Sequence, residues 1–135
     1  MTHRILIVDD EPALRRTLER ALKSHHYEVV SVGDPHAAYQ LLGESAFDLV
    51  LLDLRLPHMP GDAFFLAIVR MWPRLLSRVI LMSGDPSPQQ PEWPPELAVC
   101  PVLQKPFSLE TLVNTVGQVL ASNERSKFLE GNGNS

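Results

Sequence analysis

The stretch LVLLDLRLP, residues 49–57, decides the fold. Its opening residues are apolar without the polar alternation of a half-wet strand, so it reads as a strand buried on both faces. Such strands belong to parallel sheets covered by helices. Yet the run ends on the carboxylate of Asp53. A charge that close to a core is costly unless it is paired or bound to a cation. A strand-end acid is therefore a site candidate, set against the plainer reading of a solvated terminus.

Working outward, the same alternation repeats along the chain. RILIVD (4–9), YEVVSV (27–32), FDLVLLDL (47–54), RVILMS (78–83) and CPVLQ (100–104) read as strands. From Pro12 the period turns helical, with Leu14, Leu18, Ala21 and Leu22 on one face and Arg15, Arg16, Glu19, Arg20 and Lys23 on the other. Asp34-Pro35 starts a second helix to about Glu44, as N-cap followed by first-turn proline. A third runs over 61–72 and is stopped by Pro73. It carries adjacent Phe64 and Phe65, of which one is expected to be exposed. A last helix opens at Ser108 and lays Leu112, Val116, Val119 and Leu120 on one face.

This pattern predicts a single three-layer α/β domain with a five-stranded parallel sheet. Right-handed crossovers place the loops that follow the strands on one edge, where ligands bind in such sheets. Asp9, Asp10, Asp53, Ser83 and Lys105 all sit at or just past strand ends, so the fold would gather them. One segment breaks the rhythm. Between Ser83 and Lys105 prolines fall at 86, 88, 91, 94, 95 and 101. An interior proline costs a helix roughly 3 kcal/mol, so the fourth helix is expected to be missing or reduced to a turn near Pro95–Ala98.

Composition narrows the function. The 135 residues suit one domain, expected over 1–122, with 123–135 as a polar, flexible tail or linker stub. A net charge of -4 and the lack of a basic stripe argue against direct nucleic-acid binding. Cys100 alone permits neither an internal disulfide nor a cysteine metal cage, and reads as a small buried apolar residue. The apolar runs are strand-sized and no signal-peptide core precedes Asp9, so a soluble, cytoplasmic protein without membrane partners is expected.

Three carboxylates at one pocket cannot all stay ionised without a cation. An all-oxygen site suits a hard ion, and Mg2+ is the expected cofactor. A lysine and a hydroxyl at the same rim would complete a cradle for a phosphoryl group, whose transfer needs charge neutralisation and in-line positioning. Asp53 is the group left to act as nucleophile, since carboxylates form acyl phosphates.

At these residues the resemblance is specific. ILIVDDEP (5–12), LVLLDLRLPHMPG (49–61), ILMSG (80–84) and LQKPF (103–107) resemble, in order and spacing, the motifs of the receiver domain of two-component response regulators. The resemblance covers about residues 4 to 121. It implies a flavodoxin- or chemotaxis-receiver-like strand order 2-1-3-4-5. It also implies that Asp53 takes a phosphoryl group from a sensor histidine kinase or a histidine phosphotransfer protein. Asp10 would ligate Mg2+ directly, Asp9 mostly through water, and the Arg55 carbonyl would add a ligand. Lys105 would hold first a carboxylate and then the phosphoryl group, with Ser83 as the switch hydroxyl and Gly84 beside it. Lys105-Pro106 matches the family's cis bond, and Pro57 and Gly61 its turn after the site. Such a domain promotes only its own phosphorylation and dephosphorylation and is not otherwise an enzyme. Arg55 and Asp85 fall at positions flanking the mouth of the pocket, where their opposite charges would pair and hinder the attacking water.

Two other readings share part of this pattern. A haloacid-dehalogenase-type phosphatase also uses an Asp nucleophile, but wants D-x-D at its first strand, and DLR has Arg55 in the second place. A pseudo-receiver scaffold that is never phosphorylated fits the departures from the family. Where activated receivers carry an aromatic three residues before the lysine, this chain has Val102, and the fourth helix gives way to prolines. The output partner is not readable from the sequence. The expected substitute for the aromatic relay is a change of order in the proline-rich segment. Amide exchange across residues 84–99 should then differ with and without a phosphoryl mimic, and equal protection in both states would exclude it.

Overall fold

The computed structural model describes residues 2–84 and 94–133, with side chains through residue 124. Asp85, Trp93 and the intervening prolines lie outside the described residues. The elements are β1 (Arg4–Val8), α1 (Pro12–Lys23), β2 (Glu28–Val32), α2 (Pro35–Glu44), β3 (Leu49–Asp53), β4 (Arg55–Leu56), β5 (Met59–Pro60) and α3 (Gly61–Met71). A 3-10 turn (Pro73–Ser77), β6 (Val79–Ser83), α4 (Pro95–Ala98), β7 (Val102–Gln104) and α5 (Leu109–Gly133) complete the chain. The main sheet is parallel in the order β2-β1-β3-β6-β7. With the small β4–β5 hairpin set aside, this is the 2-1-3-4-5 order that the family resemblance implies.

Side chains on successive strand positions point to opposite faces, and here both faces are covered. Ile5, Ile7, Leu49, Leu51, Ile80 and Met82 face Leu18 and Leu22 of α1 and Leu112, Val116 and Leu120 of α5. Leu6, Val8, Val50, Leu52, Val79 and Leu81 face the side built by α2, α3 and α4. Every residue of β3 is buried, Asp53 included. Double burial is the physical reason that the opening stretch lacks alternation.

Local chemistry sets the ends of the helices. Asp34 accepts from the His36 N–H at 3.1 Å with Pro35 in the first turn. Ser108 Oγ accepts from the Thr111 N–H at 3.0 Å. Among the described residues the fourth helical element is the single turn α4, which buries Leu97. Cys100 packs just after it, where burial pushes the thiol pKa up to about 11. Among the described residues no helix is long and apolar enough to cross a membrane.

Several expectations are corrected. Phe64 and Phe65 are both buried, at 2% and 0% exposure. Gly61, Phe64, Phe65, Ile68 and Val69 form the i, i+3, i+4, i+7, i+8 stripe, wide enough on a helix to hold two neighbours about 100° apart. After Pro73 the chain makes a further 3-10 turn before β6, and the loop after Asp53 folds into the β4–β5 hairpin with His58 at φ 67°. The backbone of α5 runs on to Gly133, into the segment 123–135 expected as a polar tail or linker stub. Polar composition is no stop signal, and residues 122–130 contain neither proline nor glycine. Asn123 anchors the helix against the 3-10 turn through Ser77, with its Nδ2 donating to the Ser77 carbonyl at 2.9 Å.

Gly61 shows why the turn after the site is closed so tightly. Its N–H donates to the Leu54 carbonyl at 3.2 Å, and a Cβ there would lie 2.5 Å from Leu54 Cα and 2.6 Å from its oxygen. Gly117, within α5, has nothing within 4 Å of the same position. Gly61→Ala should therefore destabilise the fold by about 1–3 kcal/mol, while Gly117→Ala should stabilise it by about 0.5–1 kcal/mol. Urea midpoints for the two variants would move in opposite directions.

Candidate functional site

Three buried polar or charged residues stand out in the described chain: Asp9 at 0% exposure, Asp53 at 4% and Ser83 at 6%. All three lie on the edge of the sheet where the strands end. Pairing of Val8 with Leu52 sets Asp9 level with Asp53 on the adjacent strand. Asp53 pairs with Met82, so Ser83 follows one step further on the other side. Register alone thus delivers two acids and a hydroxyl to neighbouring positions.

Asp10, exposed at the rim, joins them: oxygens of Asp9, Asp10 and Asp53 lie within 4.8 Å of one another. The Lys105 ammonium enters from the loop after β7. It donates to Asp9 Oδ2 at 3.0 Å and Asp53 Oδ2 at 3.1 Å, bridging residues 96 positions apart in the first case. Its backbone N–H donates to the Ser83 carbonyl at 2.6 Å, and the Lys105-Pro106 peptide is cis. The other carboxylate oxygens are held by the backbone. Glu11 N–H donates to Asp9 Oδ1 at 2.8 Å, and Arg55 N–H to Asp53 Oδ1 at 2.9 Å.

This arrangement has known counterparts. The sequence matches the response regulator receiver domain over residues 5–117. The chain belongs to that family. It is 30% identical over 123 residues to the response regulator receiver protein CpdR of Brucella abortus, covering 87% of this chain and 96% of CpdR. It is 32% identical over 117 residues to the DNA-binding transcriptional regulator NtrC of a Bradyrhizobium strain, covering 87% of this chain but only 24% of NtrC. The chain thus spans about a quarter of that longer regulator. Among solved structures, the chemotaxis response regulator CheY4 of Vibrio cholerae superimposes with a TM-score of 0.76 at 28% identity, covering 88% of this chain and 99% of CheY4.

In this receiver the remaining residues singled out from sequence fall as follows. Arg55 is exposed on β4, and Asp85, its expected partner across the mouth, lies outside the described residues. Gly84 borders open space, with nothing within 4 Å of a Cβ built on it. Val102 is half-buried against the core under α3 and α4. Helical periodicity makes Arg15 a surface charge. Its Nη1 instead donates to the Asp9 carbonyl at 2.8 Å, beside Gly33. The helical pattern set Arg15 on the outer face, and nothing local in the sequence reveals that its long side chain turns back over the end of β1.

The receiver's electrostatics follow from crowding. Burial, with the Asp9 charge behind it, pushes the Asp53 pKa above its ordinary 3.8, against the opposing pull of the Arg55 N–H and Lys105. Burial alone would lower the Lys105 pKa, but its hydrogen bonds and charge pairing with Asp9 and Asp53 outweigh that and raise it. A carboxyl whose pKa is higher folded than unfolded binds more protons in the native state. Stability is then lost as pH rises through the window from 3.8 to the folded value, and stays lost above it. In the absence of divalent cations, Asp53→Asn should be more stable than wild type near pH 7, with the gap closing as pH falls towards about 4. Urea titrations across that range check this; a wild-type advantage at neutral pH would contradict it.

Proposed function

We propose that this receiver accepts a phosphoryl group on Asp53 from a phosphohistidine donor, a sensor kinase or a phosphotransfer protein, and acts on protein partners rather than nucleic acid. Residues 1–122 form the receiver body. The observation that carries the reading is the bridge of Lys105 to Asp9 and Asp53 inside a cluster of three carboxylates.

The donor set fits Mg2+. The clustered ligands are carboxylate oxygens, with no histidine or cysteine in the group, as a hard divalent ion requires. Asp10 and Asp53 would hold the ion with the Arg55 carbonyl, and Asp9 through water. Bound there, it would neutralise phosphoryl oxygens and draw the donor into line.

The protein's own groups do the rest. The Arg55 N–H fixes one Asp53 oxygen and leaves the other, now on Lys105, to attack phosphorus. An O–P bond forms as the donor's P–N bond breaks, and the imidazole leaves with its electron pair and takes up a proton. Asp53 loses its carboxylate charge while three phosphoryl oxygens arrive beside it, so Lys105 finds a new anion within reach. Ser83, one residue beyond the position opposite Asp53, supplies a hydroxyl donor to that group. Burial of Asp53 and Ser83 limits access for hydrolytic water. The chemistry is confined to the domain's own aspartate, which makes it a signalling module that turns over no other substrate.

Incubation of the full chain with acetyl phosphate and Mg2+, read by intact mass, tests this directly. Wild type should gain one phosphoryl adduct, Asp53→Asn none, and chelation of the metal should abolish the adduct. An unmodified wild type would leave a binding scaffold as the better account.

A further inference from the structure

Asp9 is held more completely than a metal-site acid needs for its side chain alone. Its N–H donates to the Val32 carbonyl at the end of β2, 3.1 Å away. Its carbonyl accepts from Arg15 Nη1 at 2.8 Å. The carboxylate has both oxygens occupied, by Glu11 N–H and by Lys105. The Asp9 carbonyl and the Asp10 nitrogen share one planar peptide. Fixing that carbonyl therefore fixes the direction in which the chain leaves for Asp10, whose carboxylate is otherwise exposed at the rim.

A second, independent observation lies in β2's exit. A Cβ at Gly33 would stand 2.6 Å from Arg15 Nη1 and 3.4 Å from its Cζ, yet 3.6 Å from the Asp9 oxygen, an ordinary contact. Gly33 does not have a positive φ, so backbone freedom does not explain the glycine. What it provides is a notch for the guanidinium. One helical turn further on, Glu19 bonds Ser31, two residues before Gly33, and keeps α1 seated over this part of β2. Arg15 forms none of the ion pairs among the described residues, so its donor is directed at a neutral carbonyl instead of at a partner acid.

We propose that Arg15, seated in the notch left by Gly33, is a positioning residue for the cation site: it clamps the Asp9–Asp10 peptide so that Asp10 converges on Asp9 and Asp53. The inference rests on the reading of these three acids as the Mg2+ site. It assigns the clamp to a residue that never touches ion or phosphoryl group.

The test is Mg2+ titration of the full chain by calorimetry, for wild type, Arg15→Ala, Arg15→Lys, Gly33→Ala and the Arg15→Ala/Gly33→Ala double variant. Arg15→Ala and Gly33→Ala should each weaken Mg2+ binding roughly threefold to tenfold, the scale of one hydrogen bond. Because Gly33→Ala acts only by evicting Arg15, the double variant should bind no more weakly than Arg15→Ala, and Arg15→Lys should recover part of the loss. With acetyl phosphate as donor, the loss should appear in the half-saturating Mg2+ concentration more than in the rate at saturation. Wild-type affinity in both single variants, or losses that add in full in the double variant, would overturn the clamp. If Arg15→Ala fails to fold, Gly33→Ala decides alone, since its Cβ meets only the flexible end of a side chain. A wild type that neither binds Mg2+ nor takes up a phosphoryl group would instead overturn the underlying reading of the site.

Discussion

The ammonium of Lys105, 3.0 Å from one buried carboxylate and 3.1 Å from another, is the interaction on which the rest of the structure depends. Two acids side by side on adjacent strands repel each other and lose hydration, and both effects push the Asp53 pKa up. One lysine cannot neutralise three converging acids, so the resting site keeps an excess of negative charge. On the proposed reading, that excess suits the pocket to a cation and then to a phosphoryl group. The crowding is a local cost that the surrounding fold has to absorb.

It does so through the sheet. Strand β3 is covered on both faces, so Asp53 cannot relieve its crowding by moving outward without disturbing the core. The Leu54 N–H is tied to the Met82 carbonyl at 3.0 Å, and Leu54 in turn backs against Gly61 at the head of α3. On the other side, Asp9 is held by β2, by α1 and by the turn into α1. Asp9 and Asp53 are thus held through β2, α1, β6 and the head of α3, an arrangement that favours preorganised electrostatics.

The face covered by α3 and α4 is built differently from the site. Among the described residues the fourth helical element is one turn, and Val102 is half-buried against the core beside it. Both phenylalanines of α3 are committed to the core, so neither serves as an exposed contact. The acid cluster thus rests on strand ends and register, whereas this face rests on how α3 and α4 pack.

The sequence by itself determined the strand–helix alternation, the double burial of the sheet, the helical turn at Pro95–Ala98 and the set of polar residues at strand ends. These are properties of period, proline placement and apolar runs, and each is local. The resemblance of four short motifs to receivers added the strand order. Tertiary structure alone decided what depends on approach between distant segments. Adjacent Phe64 and Phe65 are both buried because the apolar stripe of α3 is wide. The helix past Asn123 continues because polarity does not stop a helix. Arg15, placed by periodicity on the solvent face, turns back to Asp9 because Gly33, eighteen residues away in the chain, leaves a space that no pattern of single positions encodes.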